Sequence, residues 1–204
     1  MLSKVEDAIE AIRLGQMVIV VDDEDRENEG DLIMAAEAIT AEAVNFMATH
    51  GRGLICCPIT AARAKELELS YMVSSNTCPF ETAFTISVDA KYDTTTGISA
   101  HERALTIKRL SDPAYDADAF MSPGHMFPLI AKDGGVRERR GQTEASIDLA
   151  KLGGFEPAGV ICEIMNDDGS MARLPDLVEY AKKHNLYIIS IEQMVQYLEK
   201  QNSL

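Results

Sequence analysis

Positive charge is scarce in this chain. Nineteen Lys and Arg stand against 33 Asp and Glu, a formal net charge of −14 over 204 residues. That balance argues against nucleic acid or an anionic membrane as a general partner, so an anionic ligand would have to find locally basic residues. Long apolar runs are missing as well. None approaches the ~20 residues of a membrane span, and the opening Met-Leu-Ser-Lys-Val-Glu-Asp is no signal peptide, which predicts a cytoplasmic protein without membrane contact. The four cysteines, Cys56, Cys57, Cys78 and Cys162, show no CxxC spacing. Cys57 and Cys162 lie in apolar strand-like runs, so reduced thiols in a cytosolic core are expected. Internal repeats, low-complexity tracts and Pro/Ser-rich linkers are absent. With 46% hydrophobic and 25% charged residues, the composition is that of one globular domain over residues 1–204.

What the chain does have is a concentration of negative charge. Asp22-Asp23-Glu24-Asp25-Arg26-Glu27-Asn28-Glu29-Gly30-Asp31 holds seven carboxylates around one arginine, between the apolar runs Met17–Val21 and Leu32–Ala36. Carboxylates crowded between two buried strands repel each other unless a cation relieves them. A divalent cation does so, and the arginine can hold an anion, which together suggest a phosphorylated substrate with Mg²⁺ or Mn²⁺. A solvated acidic face is the plainer alternative. An EF-hand fails, because its first position at Asp25 puts Ala36 where a bidentate Glu is required and the preceding segment reads as a strand.

Helical and strand patterns alternate along the rest, predicting an α/β (α+β) domain with a mixed sheet and helices packed on its faces. Ser3 and Glu6 read as a capping box for a helix ended by Gly15, and Met17–Val21 as a strand buried on both faces. Strands are expected at Leu32–Ala36, at Leu54–Cys57 stopped by Pro58, and over Phe84, Ile86 and Val88 with one buried face. Thr40, Thr60 and Ser99 (the last with Glu102) cap helices. Residues 112–126 look irregular, followed by a strand over Phe127–Ala131, a helix over Thr143–Leu152 closed by Gly153-Gly154, and a strand over Gly159–Met165. A helix over Pro175–Lys183, a strand over Leu186–Ser190 and a helix over Ile191–Lys200 complete the chain.

Candidate chemistry falls on loops and on one interrupted strand. Asp93–Ser99 is rich in hydroxyls and enters a helix, suited to gripping polar groups or to a plain capping role. His125 stands between Pro123 and Pro128 on a stiff loop that favours acid/base work. His50, His101 and His184 fall on or at the ends of helices, where solvated or capping roles fit better. Arg137, Arg139 and Arg140 precede a helix opening at Thr143, where arginines, helix amides and the dipole together make a phosphate site. Glu163 interrupts the apolar run Val160–Ile164. A carboxylate buried there is costly unless used, and burial raises its pKa towards general-base range; an exposed edge face is the alternative.

Together these segments resemble 3,4-dihydroxy-2-butanone 4-phosphate synthase, from Val5 to about Leu198. The anchors are residues 22–31, Thr95-Thr96-Gly97-Ile98-Ser99, Pro123-Gly124-His125, Thr143-Glu144-Ala145, and Gly159–Glu163 with Asn166-Asp167-Asp168-Gly169. The resemblance implies a lyase of riboflavin biosynthesis that converts D-ribulose 5-phosphate to L-3,4-dihydroxy-2-butanone 4-phosphate and formate. It further implies Mg²⁺ or Mn²⁺, two ions per site, and a homodimer. Some members carry a fused GTP cyclohydrolase II domain; this chain is expected to be monofunctional. By position, Glu27 matches the metal-binding glutamate, Arg26 and Asp31 match substrate contacts, and Arg139 and Thr143 match phosphate-gripping positions, with Arg140, Gly141 and Gln142 in the same substrate loop. His125 and Glu163 match the catalytic pair, Glu163 also touching substrate.

One position departs from the family pattern. Gly-His-Thr-Glu becomes Gly141-Gln142-Thr143-Glu144, and that histidine is a metal ligand; the usually small neighbour is Arg140. A glutamine offers a metal only a neutral carbonyl oxygen. Weaker metal binding is therefore expected. The rival readings are a diverged relative that binds sugar phosphate with little turnover, and a metal- or phosphometabolite-binding module without chemistry.

Overall fold

Each inner strand of the sheet is apolar on both faces, so both faces must be covered by helices. The computed structural model describes residues 1–201. Its elements run α1 (Val5–Arg13), β1 (Val18–Val21), β2 (Gly30–Ala35), α2 (Ala41–Phe46), β3 (Cys56–Thr60), α3 (Ala61–Glu66), β4 (Val88–Ala90), α4 (Ala100–Ser111) and β5 (Phe120–Ala131). Then follow α5 (Gln142–Gly153), β6 (Gly159–Glu163), α6 (Leu174–His184), β7 (Tyr187–Ser190) and α7 (Ile191–Gln201). The seven strands form one sheet in the order β4-β5-β3-β6-β2-β1-β7. Pairings β1–β7 and β3–β5 are parallel and the others antiparallel, so the sheet is mixed as expected.

Alternation along the strands divides the core in two. Val18, Val20, Ile33, Cys56 and Ile161 face Ala8 and Ile12 of α1, Ala145 and Leu149 of α5 and Met194 of α7. Ile19, Leu32, Met34, Cys57 and Val160 face the other way, onto Val44 of α2, Ile107 and Leu110 of α4 and Leu177 of α6. Each such Val, Ile or Leu contributes about 1.5–3 kcal/mol by leaving water. Cys56, Cys57 and Cys162 are buried free thiols, and Cys78 is exposed. Among the described residues no helix is long and apolar enough to cross a membrane.

Most caps follow the sequence. Thr40 and Thr60 accept from the N–H groups of Ala43 and Arg63, and Ser99 Oγ accepts from Glu102 N. Ser3 does not cap α1. Its Oγ accepts from Ile188 N at 3.1 Å and its own N–H donates to Ile188 O at 2.7 Å, so the serine extends the edge of β7 instead.

Three expectations about strands are corrected. Pro58 does not stop β3 but lies inside it, opposite Leu129 of β5, and β6 meets β3 on either side of it, at Cys56↔Ile161 and at Ile59↔Ala158. Strand β5 begins at Phe120, inside the segment that looked irregular. Against β4 its register jumps from Val88↔Met126 to Asp89↔Met121, leaving residues 122–125 bulged out. Side chains satisfy the bulged amides: Ser87 Oγ accepts from Gly124 N and Asp89 Oδ1 from His125 N. Finally, residues 84–87 run beside β5 without forming a regular strand, and Thr85 is fully buried while Ile86 is only partly so. The Thr85 hydroxyl is satisfied by donation to Pro128 O, which is why burying it is tolerated.

Candidate active site

The acidic loop joins β1 to β2, and Asp22 organises it. The buried carboxylate accepts from Glu27 N through Oδ2 (3.1 Å) and from Glu29 N through Oδ1 (2.8 Å), curling the loop back on its first residue. Arg26 then answers the negative charge locally. Its Nη1 donates to Asp22 Oδ2 (2.7 Å), Glu27 Oε2 (2.7 Å) and Gln142 Oε1 (3.2 Å), and its guanidinium lies 5.2 Å from the Phe80 ring centroid. Gln142, buried at the first position of α5, is thereby drawn against the loop, with Nε2 3.5 Å from Glu29 O.

Gly30 and Asp31 belong to β2 rather than to the loop, and Asp31 is paired with Glu163 of β6. Both carboxyl groups share the sheet face of Ile33 and Ile161. Burial raises the Asp31 pKa well above its ordinary value, and Glu163 and Glu27 push it further. Burial also raises that of Glu163, although Leu54 N donates to its Oε2 at 2.8 Å and opposes the shift. Glu163 itself is only partly buried, at the end of β6, and the fully buried carboxylate is Asp31 beside it. Gly53 lets the neighbouring segment close over Glu163: a Cβ there would stand 2.4 Å from Glu163 Oε2.

His125 lies on the far side of β3 from Glu163. Cys56 of β3 is paired with Phe127 on one side and Ile161 on the other. His125 precedes Phe127 by two residues, while Glu163 O accepts from Gly53 N at 3.2 Å beside the bridge Arg52↔Ile164, so the segment 52–54 runs between them. Their backbones are about two strand spacings, roughly 10 Å, apart. The imidazole is fixed by Asp89, whose Oδ2 lies 2.7 Å from Nδ1 while Oδ1 accepts from His125 N at 2.8 Å. Asp89 is buried and His125 is partly exposed.

The basic loop divides. Arg139 Nη1 donates to buried Glu144 Oε2 at 2.6 Å, and its other nitrogens reach Phe80 O and Thr82 Oγ1. Arg140 turns away to Asp23 and to Glu192 of α7. Gly141 is the N-cap of α5 and has no side chain to satisfy the first amides of the helix, so they remain available to an anion. A Cβ at Gly141 would meet Arg139 Nη1 at 2.4 Å, Glu144 Oε2 at 3.0 Å and Arg26 Nη2 at 3.1 Å. Two guanidinium groups thus converge on this glycine at the open end of α5, next to buried Thr143.

The structure brings Arg26, Glu27 and Gln142 into direct contact, pairs Asp31 with Glu163, and joins Arg26 to Arg139 around Gly141. It keeps His125 two strands from Glu163 and aims Arg140 elsewhere. The hydroxyl loop is spent on itself: Thr95 donates through N and Oγ1 to Glu102, whose pKa is held at about 2 by those bonds, and Thr94 Oγ1 donates to Ala90 O. Sequence reading missed Asp89, Phe80, Thr82, Glu144 and Arg173. Only Glu144, inside the Thr143-Glu144-Ala145 anchor, carried a local signal.

The residues fit a hard divalent cation in charge and donor type. Burial and the neighbouring Glu27 and Glu163 carboxylates raise the Glu29 pKa, so the cluster is short of positive charge. Glu27 and Gln142 offer oxygen donors. Among the described residues no three His, Cys, Asp or Glu side chains are gathered as a metal cage, which suits Mg²⁺ held by one or two side chains, water and substrate oxygens.

A family model described as 3,4-dihydroxy-2-butanone 4-phosphate synthase matches residues 6–197. The chain is 60% identical over 202 residues to riboflavin biosynthesis protein RibBA of Aquifex aeolicus (strain VF5), covering 98% of this chain and 50% of that protein. It is 57% identical over 204 residues to the RibBA of Bacillus cereus (strain G9842), covering 100% and 51%. The chain therefore spans about half the length of the curated relatives it matches. Among solved structures, a 3,4-dihydroxy-2-butanone 4-phosphate synthase in complex with two magnesium ions superposes with a TM-score of 0.94 at 44% identity, covering 98% of this chain and 99% of that one. RibBX, a two-domain synthase from A. baumannii, superposes with a TM-score of 0.92 at 48% identity, covering 96% and 57%.

Proposed function

Because the chain belongs to the 3,4-dihydroxy-2-butanone 4-phosphate synthase family, we propose that it converts D-ribulose 5-phosphate to L-3,4-dihydroxy-2-butanone 4-phosphate and formate. The observation that carries this reading is the convergence of Arg26 and Arg139 on Gly141 at the open end of α5, beside the Asp31–Glu163 pair. One end of such a site binds a phosphate and the other moves protons.

In this reading the amides of α5 and the two arginines hold the phosphate, and that binding energy fixes the reacting carbons between Glu163 and His125. Glu163, with its pKa raised, removes a proton next to the ketone. His125, oriented by Asp89, gives and takes protons at the skeletal carbons from the other side. Asp31, held above its ordinary pKa by burial and by Glu163, contacts a substrate hydroxyl. Glu27 and Gln142 would hold Mg²⁺ or Mn²⁺, two ions per site in this reading, which the relative in complex with two magnesium ions supports. Such ions supply Lewis-acid stabilisation of enediolate charge.

The protein acts as a single cytoplasmic domain over residues 1–204 and assembles as a homodimer. The assembly is supported by exposed Tyr71, Met72, Val73 and Phe80 on the segment that carries the cover of Arg26. Purified protein incubated with ribulose 5-phosphate and Mg²⁺ should release formate in a coupled dehydrogenase assay. Binding of the sugar phosphate without formate would replace this reading with that of a diverged, non-turning-over relative.

A further inference from the structure

A loop with six carboxylates needs something to hold Glu27 in place, because its own charges push it apart. The N–H groups at Glu27 and Glu29 are tied to Asp22. The carbonyls are tied from the opposite side. Arg173, the residue just before α6, donates from Nη1 to Glu27 O at 2.9 Å and to Asn28 O. Successive carbonyls in an extended chain point apart; here Asn28 adopts a left-handed φ of 55°, which turns both towards one nitrogen. Arg173 is itself well anchored: its N–H donates to Asp176 Oδ2 at 3.0 Å, and one turn on, Leu177 packs against Gly30.

We propose that Arg173 is the positioning residue of the acidic loop, clamping the Glu27–Asn28 turn so that Glu27 faces its ligand. A carboxylate on one side and a guanidinium on the other then grip the same three-residue turn. The inference rests on the proposed role of Glu27, but the turn it describes exists with or without catalysis.

The test compares the 204-residue chain with Arg173→Ala, Arg173→Lys and Asp176→Ala, the last loosening the start of α6 while sparing the guanidinium. Two readouts are taken: amide hydrogen exchange over residues 26–30 in metal-free protein, and Mn²⁺ binding by titration. Arg173→Ala should speed exchange over those residues and raise the Mn²⁺ dissociation constant by on the order of tenfold or more, as loss of a ligand's supporting partner does. Arg173→Lys should fall between it and the parent, and Asp176→Ala should match the parent in both. Unchanged exchange at residues 26–30 in Arg173→Ala overturns the proposal, as does an equal effect from Asp176→Ala. Should Arg173→Ala not fold, Arg173→Lys must still exchange faster there than Asp176→Ala. A parent that makes no formate removes the lyase reading and leaves this comparison standing.

Discussion

Asp31 and Glu163 stand opposite each other on adjacent antiparallel strands, Asp31 buried and Glu163 partly so, and both carboxyls are shifted above the ordinary range. Like charges at this spacing resist joint ionisation, which keeps a proton in the site at pH values where free carboxyls have lost theirs. The pair links the energetics of the fold to the chemistry of the site.

The first prediction follows from that linkage. A carboxyl whose pKa is raised by folding adds stability below its ordinary pKa, and that stability is lost as pH rises through the folded value. Metal-free protein should therefore lose melting temperature through this pair as pH rises above the ordinary carboxyl range of about 4, and Asp31→Asn should flatten the decline. Thermal melts in chelator at rising pH decide it. Parallel curves for parent and variant would show that Asp31 carries no such penalty.

Glu163 and Arg139 should fail in different ways. If Glu163 is the base at the reacting carbon, as proposed, Glu163→Gln should lower kcat by about 10²–10⁴ with KM little changed. Arg139→Ala removes the proposed phosphate contact and also strands buried Glu144, whose remaining bond is from Lys132 N. KM should rise, by ~1.5–3 kcal/mol of binding, and folding stability should drop by about 3 kcal/mol. Steady-state kinetics with urea unfolding would expose an exchange of the two patterns.

Asp89 should matter through His125 alone. An amide in its place keeps the size but loses the anion that holds Nδ1, so Asp89→Asn should lower kcat by on the order of 10² or more, as misorientation of a catalytic imidazole does. Phosphate-dependent binding of substrate should persist. Equal losses in affinity and turnover would mean that Asp89 supports the fold of β4 and β5 rather than the imidazole.

Gln142 presents its carbonyl to Arg26. Replacing it by histidine adds a nitrogen donor and frees that guanidinium hydrogen bond. Gln142→His should tighten Mn²⁺ by on the order of tenfold, about 1.4 kcal/mol, more than it tightens Mg²⁺, and should raise formate production at low metal. Calorimetric titration with both ions checks this. No change in either affinity, in a parent that is fully active, would remove position 142 from the metal site. Glu27→Gln is the companion variant, expected to abolish both metal binding and formate release.

Element order, the acidic loop, the helix opening before Thr143 and Glu163 were legible in the sequence because each is written within a few residues, as apolar periodicity, a cap or a charge inside an apolar run. Strand β5 was not legible, since Pro123, Gly124 and Pro128 read as breakers; side chains from a distant segment replace the ladder there. The site's partnerships were invisible for the same reason. Asp89 meets His125 across 36 residues, and Arg26 meets Gln142 across 116. Buried charges take whatever opposite group the packed sheet brings near, and only tertiary structure decides which that is: Arg139 was committed to Glu144, Arg140 to Asp23 and Glu192, and the acidic turn to Arg173. Local sequence set which chemical groups the site contains. The order of strands in the sheet set which of them face one another.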